Sequence, residues 1–524
     1  MRTAPLWIAA ALGCRAAASA QEAKERPPPV EVPTSTQASG APPIGDADNA
    51  YGLRVGNEEI GLYDTGSIRG FALDAGANYR LDGAFFTAFT ERAERVEASA
   101  AIRAGPNLFA ARFPSPTGVV DIGTDDEVTP RRNLILRGDG FGSVEAVGRL
   151  ALPVTGGTVW AVGELARLDN WHGGHDAFSY GALGGTVERQ WDQPHSPARI
   201  SLAIIGRDQH SDLANADDIT LGPARINDRL SPPDPGAPSG IAATDLIREG
   251  RLDASASYPL GRWLLVSGSV QRVHYTKGYT PAGEAMPQRT DREWAGHLAA
   301  TVAVAERLSF YGAWVTGLEE SGSAPAIAAN ANETLPAPLA SQREVGAKWK
   351  VTPDATLLVS AFDITKGAPG FDGAGRWVLN GTRRHRGIEA SLVAPVGPVQ
   401  VVAGPLYLDA AIREAGGLRA EVVGQPRWRG SVNAQWQATA RLAVDAGAYI
   451  LGDAPARRDS TTTIPARADR LLGITWALGS TEVAPTLRIA GSNLLDNRGW
   501  DANDDESLTP IESRAVRASL AFAW

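Results

Sequence analysis

The sequence predicts an all-β membrane protein: an antiparallel transmembrane β-barrel filling the C-terminal three-quarters of the chain, with a small unit ahead of it. Three observations predict it. From about residue 128 onward, segments of roughly ten residues alternate apolar with polar or small side chains. Short turns and long polar loops take turns in joining these segments. The chain also opens on an export signal and closes on an apolar strand whose last residue is Trp524.

The alternation is clearest at 428–436. Trp428, Gly430, Val432, Ala434 and Trp436 fall on one face, and Arg429, Ser431, Asn433 and Gln435 on the other. Val516, Ala518, Leu520, Phe522 and Trp524 repeat the pattern, as do Val345, Ala347, Trp349 and Val351 against Lys348 and Lys350. Successive strand residues point to opposite faces, so each segment has one greasy and one wettable side. Lipid outside and a polar lumen inside require that division. A soluble sandwich also alternates, but it has no reason to place short turns at 352–354, 395–398 and 439–441 and long loops at about 209–250, 320–340, 452–468 and 497–513. In outer-membrane barrels the short turns are periplasmic and the long loops extracellular. Trp428, Trp436, Trp476 and Trp524 lie near strand ends, where interfacial aromatic girdles belong.

Bulk properties agree. The 524 residues are 43% hydrophobic, with a mean hydropathy of −0.16. That is low for a helical membrane protein, yet ordinary for a barrel in which only alternate residues meet lipid. The formal charge of −9 lacks the basic footprint of a nucleic-acid binder. Residues 1–20 read as a signal peptide: Arg2, an apolar run from Ala4 to Gly13, and Ala18-Ser19-Ala20 as a cleavage site. Cys14, the only cysteine, lies in that signal, so the mature chain offers no disulfide and no thiolate metal site. Residues 21–50 are rich in Pro, Ser and Thr and read as an extended periplasmic linker. Residues 51–123 are Gly-rich, lack long alternation, and read as a globular unit ahead of the barrel at 124–524.

Several separate stretches then resemble the TonB-dependent outer-membrane receptors, in particular their ferric-siderophore members. Ile68-Arg69-Gly70-Phe71 followed by Leu81-Asp82-Gly83 resembles the "IRGF…LDG" of the receptors' plug domain. Glu94 to Glu97, then Arg103-Ala104-Gly105-Pro106, then Pro116 to Ile122 with Gly118, resembles "ERVEVLRGP…PGGVVNI". In the barrel, Glu344 to Lys348, Ala361 to Lys366, Arg386 to Glu389 and Asn493 to Asp496 are similar to "EVGLK", "VFDITK", "RGVE" and "NLFD". The resemblance implies that 51–123 is a plug inside the lumen, shortened to about half the usual length. It implies 22 strands, whereas the alternation yields about 18. It implies energy coupling through TonB of the TonB-ExbB-ExbD system, gripping 21–50; Val30-Glu31-Val32 is a weak candidate for the contact.

The implied function is import of a scarce ligand, a ferric siderophore first, with cobalamin, haem or an oligosaccharide as alternatives in the same machine. A passive porin-like channel is the competing class. The only iron expected is in the transported complex, with no resident cofactor or metal. No catalytic motif of the zinc-protease, serine-elbow or phosphate-loop kind occurs, so no enzyme is expected. By position, Asn57, Asp74, Tyr79, Phe85 and Phe86 are candidate ligand contacts on the plug, and Trp171 on a loop. Packing against the barrel wall competes with that role for the aromatic ones. His172, His175 and Asp176 read first as a solvated loop, and the basic run Arg383 to Arg386 as lumen lining.

Overall fold

The computed structural model describes most of residues 49–524, apart from 56–57, 65, 74–77, 82–83, 86–98, 111–113, 124–130, 155–156, 170–174, 191–196, 213–218, 221–242, 282–285, 482–483 and 505. Of the residues before 49 it describes Ile44 alone. The signal peptide, the linker's Val30-Glu31-Val32, Asn57, Asp74, Asp82, Gly83, Phe86, Trp171 and His172 therefore lie outside the described residues.

The alternating segments form a closed antiparallel barrel. Among the described residues it has nineteen strands, one being the three-residue segment Arg419–Glu421 beside the upper part of Val399–Arg413, which leaves eighteen long ones. Among the described residues nothing raises the number to the family's 22. The loop after residue 209 contributes only Ile219–Thr220, which pairs with Ser507–Leu508 outside the barrel. That loop is also narrower than the composition suggests, because strands Pro197–Asp212 and Ala243–Leu260 extend into it. Polar residues there occupy alternate strand positions, which composition alone reads as loop.

Closure joins the last strand to the first. Ala515–Ala523 pairs with Arg131–Asp139, placing Leu520 opposite Leu136 and Phe522 opposite Leu134. Irregularities fall where the sequence calls for them. Pro369 has no N–H to give the ladder, and the register shifts between Ala368 and Pro369.

The two faces of the sheet are sharply different. Leu165, Leu252, Trp294, Val345, Ile388, Trp428 and Val516 are exposed on the outer side, each half or more accessible. An apolar belt of this extent has no place on a water-soluble monomer and fits lipid. Trp294, Trp314 and Trp428 mark its loop end, and Trp263, Trp349, Trp436, Trp476 and Trp524 its short-turn end, all exposed. From Trp428 to Trp436 the strand climbs about 26 Å at about 3.3 Å per residue, or roughly 20 Å along the barrel axis after a tilt near 40°. That is close to the apolar height of an outer-membrane barrel. Among the described residues no helix is long and apolar enough to cross a membrane; strands provide the crossing.

The opposite face carries the buried side chains, and the N-terminal segment packs on it. Ile44 and Ala50 cluster with Val393 and Val402. Tyr51, Leu62, Ile68 and Phe71 cluster with Leu358, Phe362, Ile364, Leu406 and Leu408. Leu108, Phe109 and Val119 cluster with Ala299, Tyr311 and Val315. The segment itself holds a four-stranded sheet in the order Ala84–Phe85, Tyr79–Leu81, Val119–Gly123, Ser99–Arg103, with the middle pair parallel. Asn78 pins its turn, with Nδ2 donating to Thr117 Oγ1 at 2.8 Å and Gly118 O at 2.7 Å. Pro106 starts the helix Pro106–Ala110, where its missing N–H costs nothing.

Candidate functional site

The strongest polar link between the N-terminal segment and the barrel is built on a two-residue turn. Ser67–Ile68 and Phe71–Ala72 pair as a minimal hairpin. Its turn residues Arg69 and Gly70 both take positive φ, 54° and 77°. That is the hairpin geometry matching strand twist, and glycine suits its second position. The turn drives Arg69 into the inner wall, where it is 1% exposed.

Two glutamates on separate strands receive it. Arg69 Nη1 meets Glu344 Oε2 at 2.6 Å, from strand Leu339–Lys350. Its Nε donates to Glu389 Oε2 at 3.2 Å and its Nη2 also pairs with Glu389, from strand Trp377–Val396. The guanidinium lies over the Phe362 ring, 4.1 Å from its centroid. The carboxylates' other lone pairs are taken by Tyr63 and Ser360 on Glu389, and by Tyr311 and Gln342 on Glu344. The turn backbone is held as well. His385 Nδ1 donates to Arg69 O at 2.8 Å, Arg383 Nη2 donates to Gly70 O at 2.9 Å, and Phe71 stacks on the His385 ring at 3.9 Å.

Charge here is unbalanced in favour of the acids: one guanidinium faces two buried carboxylates. Burial alone would drive the Arg69 guanidinium down, but Glu344 and Glu389 outweigh it and hold the group well above its ordinary value. Burial, and then the Glu389 carboxylate, push the Tyr63 and Tyr51 phenols well up. Both tyrosines are therefore neutral at physiological pH, and Tyr63 donates its hydroxyl proton to Glu389.

A second polar link lies nearer the long loops. Thr117 Oγ1 donates to Glu319 Oε1 at 2.6 Å, and Lys366 Nζ meets Glu319 Oε2 at 2.5 Å. Glu319 stands at the root of a folded long loop that carries the Ser323–Thr334 bridge.

The sequence-derived candidates distribute unevenly over this arrangement. Arg69, Gly70 and Phe71 form the latch itself. Gly105 and Gly118 hold φ of 60° and 112°, and Gly118 fits beneath Ile68. Arg103 binds Asp121 of the neighbouring strand at 2.7 Å, within the small sheet. Leu81 pairs with Ala84 and Ile122, and Phe85 with Arg80, in that same sheet. Tyr79 is half-buried in the sheet opposite Val120. His175 and Asp176 belong to strand His175–Gln190, which shortens the loop around them. The basic run splits by strand alternation: His385 is fully buried beside Phe71, Arg383 also faces the turn, and Arg384 and Arg386 pair with Asp363. The lumen-lining expectation thus holds for two of the four. Sequence reading named Glu344 and Glu389 only as parts of barrel stretches, with no role at a site, and left out Tyr51, Tyr63 and Tyr311. An acidic residue alternating onto the wettable face at mid-strand was the available signal for both glutamates.

A lipid-spanning barrel with an N-terminal segment latched to its inner wall defines a class: outer-membrane receptors whose bore is occupied by their own chain. A sequence profile described as "TonB dependent receptor-like, beta-barrel" matches residues 157–494. The chain belongs to this family of TonB-dependent outer-membrane receptors, which are transporters and not enzymes. Solved structures share the fold at low identity. The ferric preacinetobactin receptor BauA from Acinetobacter baumannii is 15% identical with a TM-score of 0.66, over 87% of this chain and 90% of that one. The siderophore receptor PiuA from the same organism is 10% identical with a TM-score of 0.67, over 89% and 92%. The ferric-catecholate import receptor Fiu from E. coli K12 is 12% identical with a TM-score of 0.60, over 87% and 90%. No curated sequence matches the chain.

Proposed function

We infer that this receptor imports a ferric siderophore, using TonB to pull the segment 51–123 out of its latched position. Residues 1–20 would direct export, 21–50 would reach the periplasmic partner with the part before Ile44, since Ile44 and Ala50 pack on the wall, 51–123 would act as the plug, and 124–524 would form the barrel. The observation that carries the reading is the Arg69 latch, an occupant fixed to the bore by a few strong, breakable bonds. BauA, PiuA and Fiu, which share the fold, are named as a ferric preacinetobactin receptor, a siderophore receptor and a ferric-catecholate import receptor.

The contacts suggest how a pull reaches the latch. Ala50 N donates to Ser391 Oγ at 2.7 Å, near the short-turn end of its strand. Leu62 N donates to Ala50 O at 3.0 Å and Tyr63 N to Tyr51 O at 2.7 Å. Tyr63 in turn donates to Glu389, the partner of Arg69. Tension on the residues before Ile44 would strip Ala50 and Tyr51 from the wall first. Tyr63 would follow, taking a donor from Glu389 and weakening its hold on Arg69. A passive pore has no use for such a chain of contacts.

Growth of a deletion strain on single iron sources tests the reading. Loss of growth on one ferric siderophore, restored by the gene, is expected; unchanged uptake of every siderophore offered would overturn the siderophore assignment.

A further inference from the structure

The inner wall of the barrel changes character partway round. On the strands from Arg289–Ala305 to Val399–Arg413 the buried inward side chains are Val315, Leu358, Phe362, Val402, Leu406 and Leu408 among others, broken by the polar latch residues Glu344, Ser360 and Glu389. The N-terminal segment packs on these. On the strands from Trp428–Thr439 to Ala515–Ala523 the buried inward positions include Ser431, Asn433, Asp445, Thr475 and Arg488. Arg488 donates to Asp445 at 2.6 Å and to Thr475 at 3.0 Å, so the wall is polar and internally knit. Gly473 leaves room there; a side chain in its place would collide with the Asp445 carboxylate and the Arg488 guanidinium.

At the loop end of this polar wall lies a cavity of about 380 Å³. The N-terminal segment contributes Tyr63 and Asp64 to it, and the wall contributes Ser431, Asn433, Tyr449 and Asp469. Among the described residues, two of its acceptors have no partner. Asn433 is 1% exposed and spends its amide N–H on Ser431 Oγ at 2.7 Å, while its Oδ1 has no partner. Asp469 binds Arg467 through Oδ2 at 3.3 Å, while its buried Oδ1 has none. A buried acceptor left unpaired is costly, and two beside one cavity ask for a donor to fill it.

We propose that imported solute moves along this polar wall, on strands 428–523, with the Asn433–Asp469 cavity as its first subsite for a hydroxyl- or amide-bearing group. The proposal rests on the import reading and adds a route and a recognition chemistry to it. Tyr63 lines the cavity and also bonds Glu389, so the pull that frees Tyr63 from Glu389 opens space on the polar side as well. A hydrophilic ligand would exchange its water for Asn433 Oδ1 and Asp469 Oδ1, then meet Asp445, Thr475 and Arg488 on its way down.

The test needs no ligand at its first stage. In a Cys14→Ser background, Asp469→Cys, at the accessible side of the cavity, and the fully buried Leu406→Cys are treated on whole cells with a charged, membrane-impermeant methanethiosulfonate reagent. Ser492→Cys is a second reporter from the same cavity, should Asp469→Cys not reach the membrane. Reaction at the cavity thiol and none at Leu406→Cys is expected, and treated cavity variants should then lose uptake of ferric siderophore while treated Leu406→Cys cells keep it. An unreactive cavity thiol, or full uptake after its modification, would overturn the route. The labelling outcome stands apart from the iron-source growth test, so failure of the route and failure of the siderophore reading are told apart.

Discussion

Replacing Arg69 by alanine is the most informative single perturbation of the latch. It removes the ion pairs to Glu344 and Glu389 and the stacking on Phe362. It also strands two carboxylates whose side chains are fully inaccessible. Removing one partner of a buried ion pair costs about 3–5 kcal/mol, chiefly because the remaining charge is left uncompensated. At about 1.4 kcal/mol per decade, the released fraction of the N-terminal segment should rise by roughly two to three and a half orders of magnitude. The assay is urea titration of the purified protein with protease sensitivity of residues 51–123 as readout, while gel mobility of the unheated barrel reports that the barrel stays closed. Release should move to much lower urea with barrel mobility unchanged. A triple variant, Arg69→Met with Glu344→Gln and Glu389→Gln, should recover most of the loss, because no orphan charge remains. A release midpoint unmoved by Arg69→Ala, or a triple variant as weak as the single, would refute the electrostatic reasoning.

Other predictions follow from the same geometry. Gly70→Ala puts a Cβ 3.0 Å from Leu408 Cδ2 at a φ of 77°, so the urea midpoint for release should fall by an amount equivalent to about 1–2 kcal/mol; an unchanged midpoint would contradict the turn assignment. Tyr51 and Tyr63 have phenol pKa values raised in the docked state. Their contribution to docking is therefore complete below the unfolded value of about 10 and is lost as pH rises above it, since the released phenols ionise and the docked ones do not. Protease sensitivity measured between pH 8 and pH 11 should increase only at the alkaline end, and a flat profile would count against it. Deleting residues 21–43, which spares the packed Ile44 and Ala50, should abolish uptake while leaving ligand binding intact; uptake at the normal rate would remove the linker's role in energy coupling.

What could be read in advance was whatever repeats locally. The faces of 428–436 are as the alternation places them: Trp428, Val432 and Trp436 are exposed, and Arg429, Ser431 and Asn433 buried. Period-two patterning is a property of neighbouring residues, so it survives in sequence. The short turns at 397–398 and 440–441 were legible for the same reason. The latch was only half legible. Ile68-Arg69-Gly70-Phe71 announces a tight turn, but its partners lie 275 and 320 residues further along. Nothing local couples Arg69 to Glu344 and Glu389; the barrel's register brings them together. Arg383 to Arg386 shows the opposite failure. Composition lumps the four into one basic run, whereas strand geometry sends alternate members to opposite faces.

A reversible tether between the N-terminal segment and the bore tests the central claim most directly. A Cβ built at Gly404 would stand 3.1 Å from Ala50 Cβ, a little inside the usual disulfide separation of about 3.5–4.5 Å. With Cys14→Ser removing the only native thiol, Ala50→Cys and Gly404→Cys together should cross-link on mild oxidation. Uptake should stop when they do and return on reduction. A pair that never cross-links, or a cross-linked receptor that imports at the full rate, would contradict a plug that must leave this wall to let its cargo through.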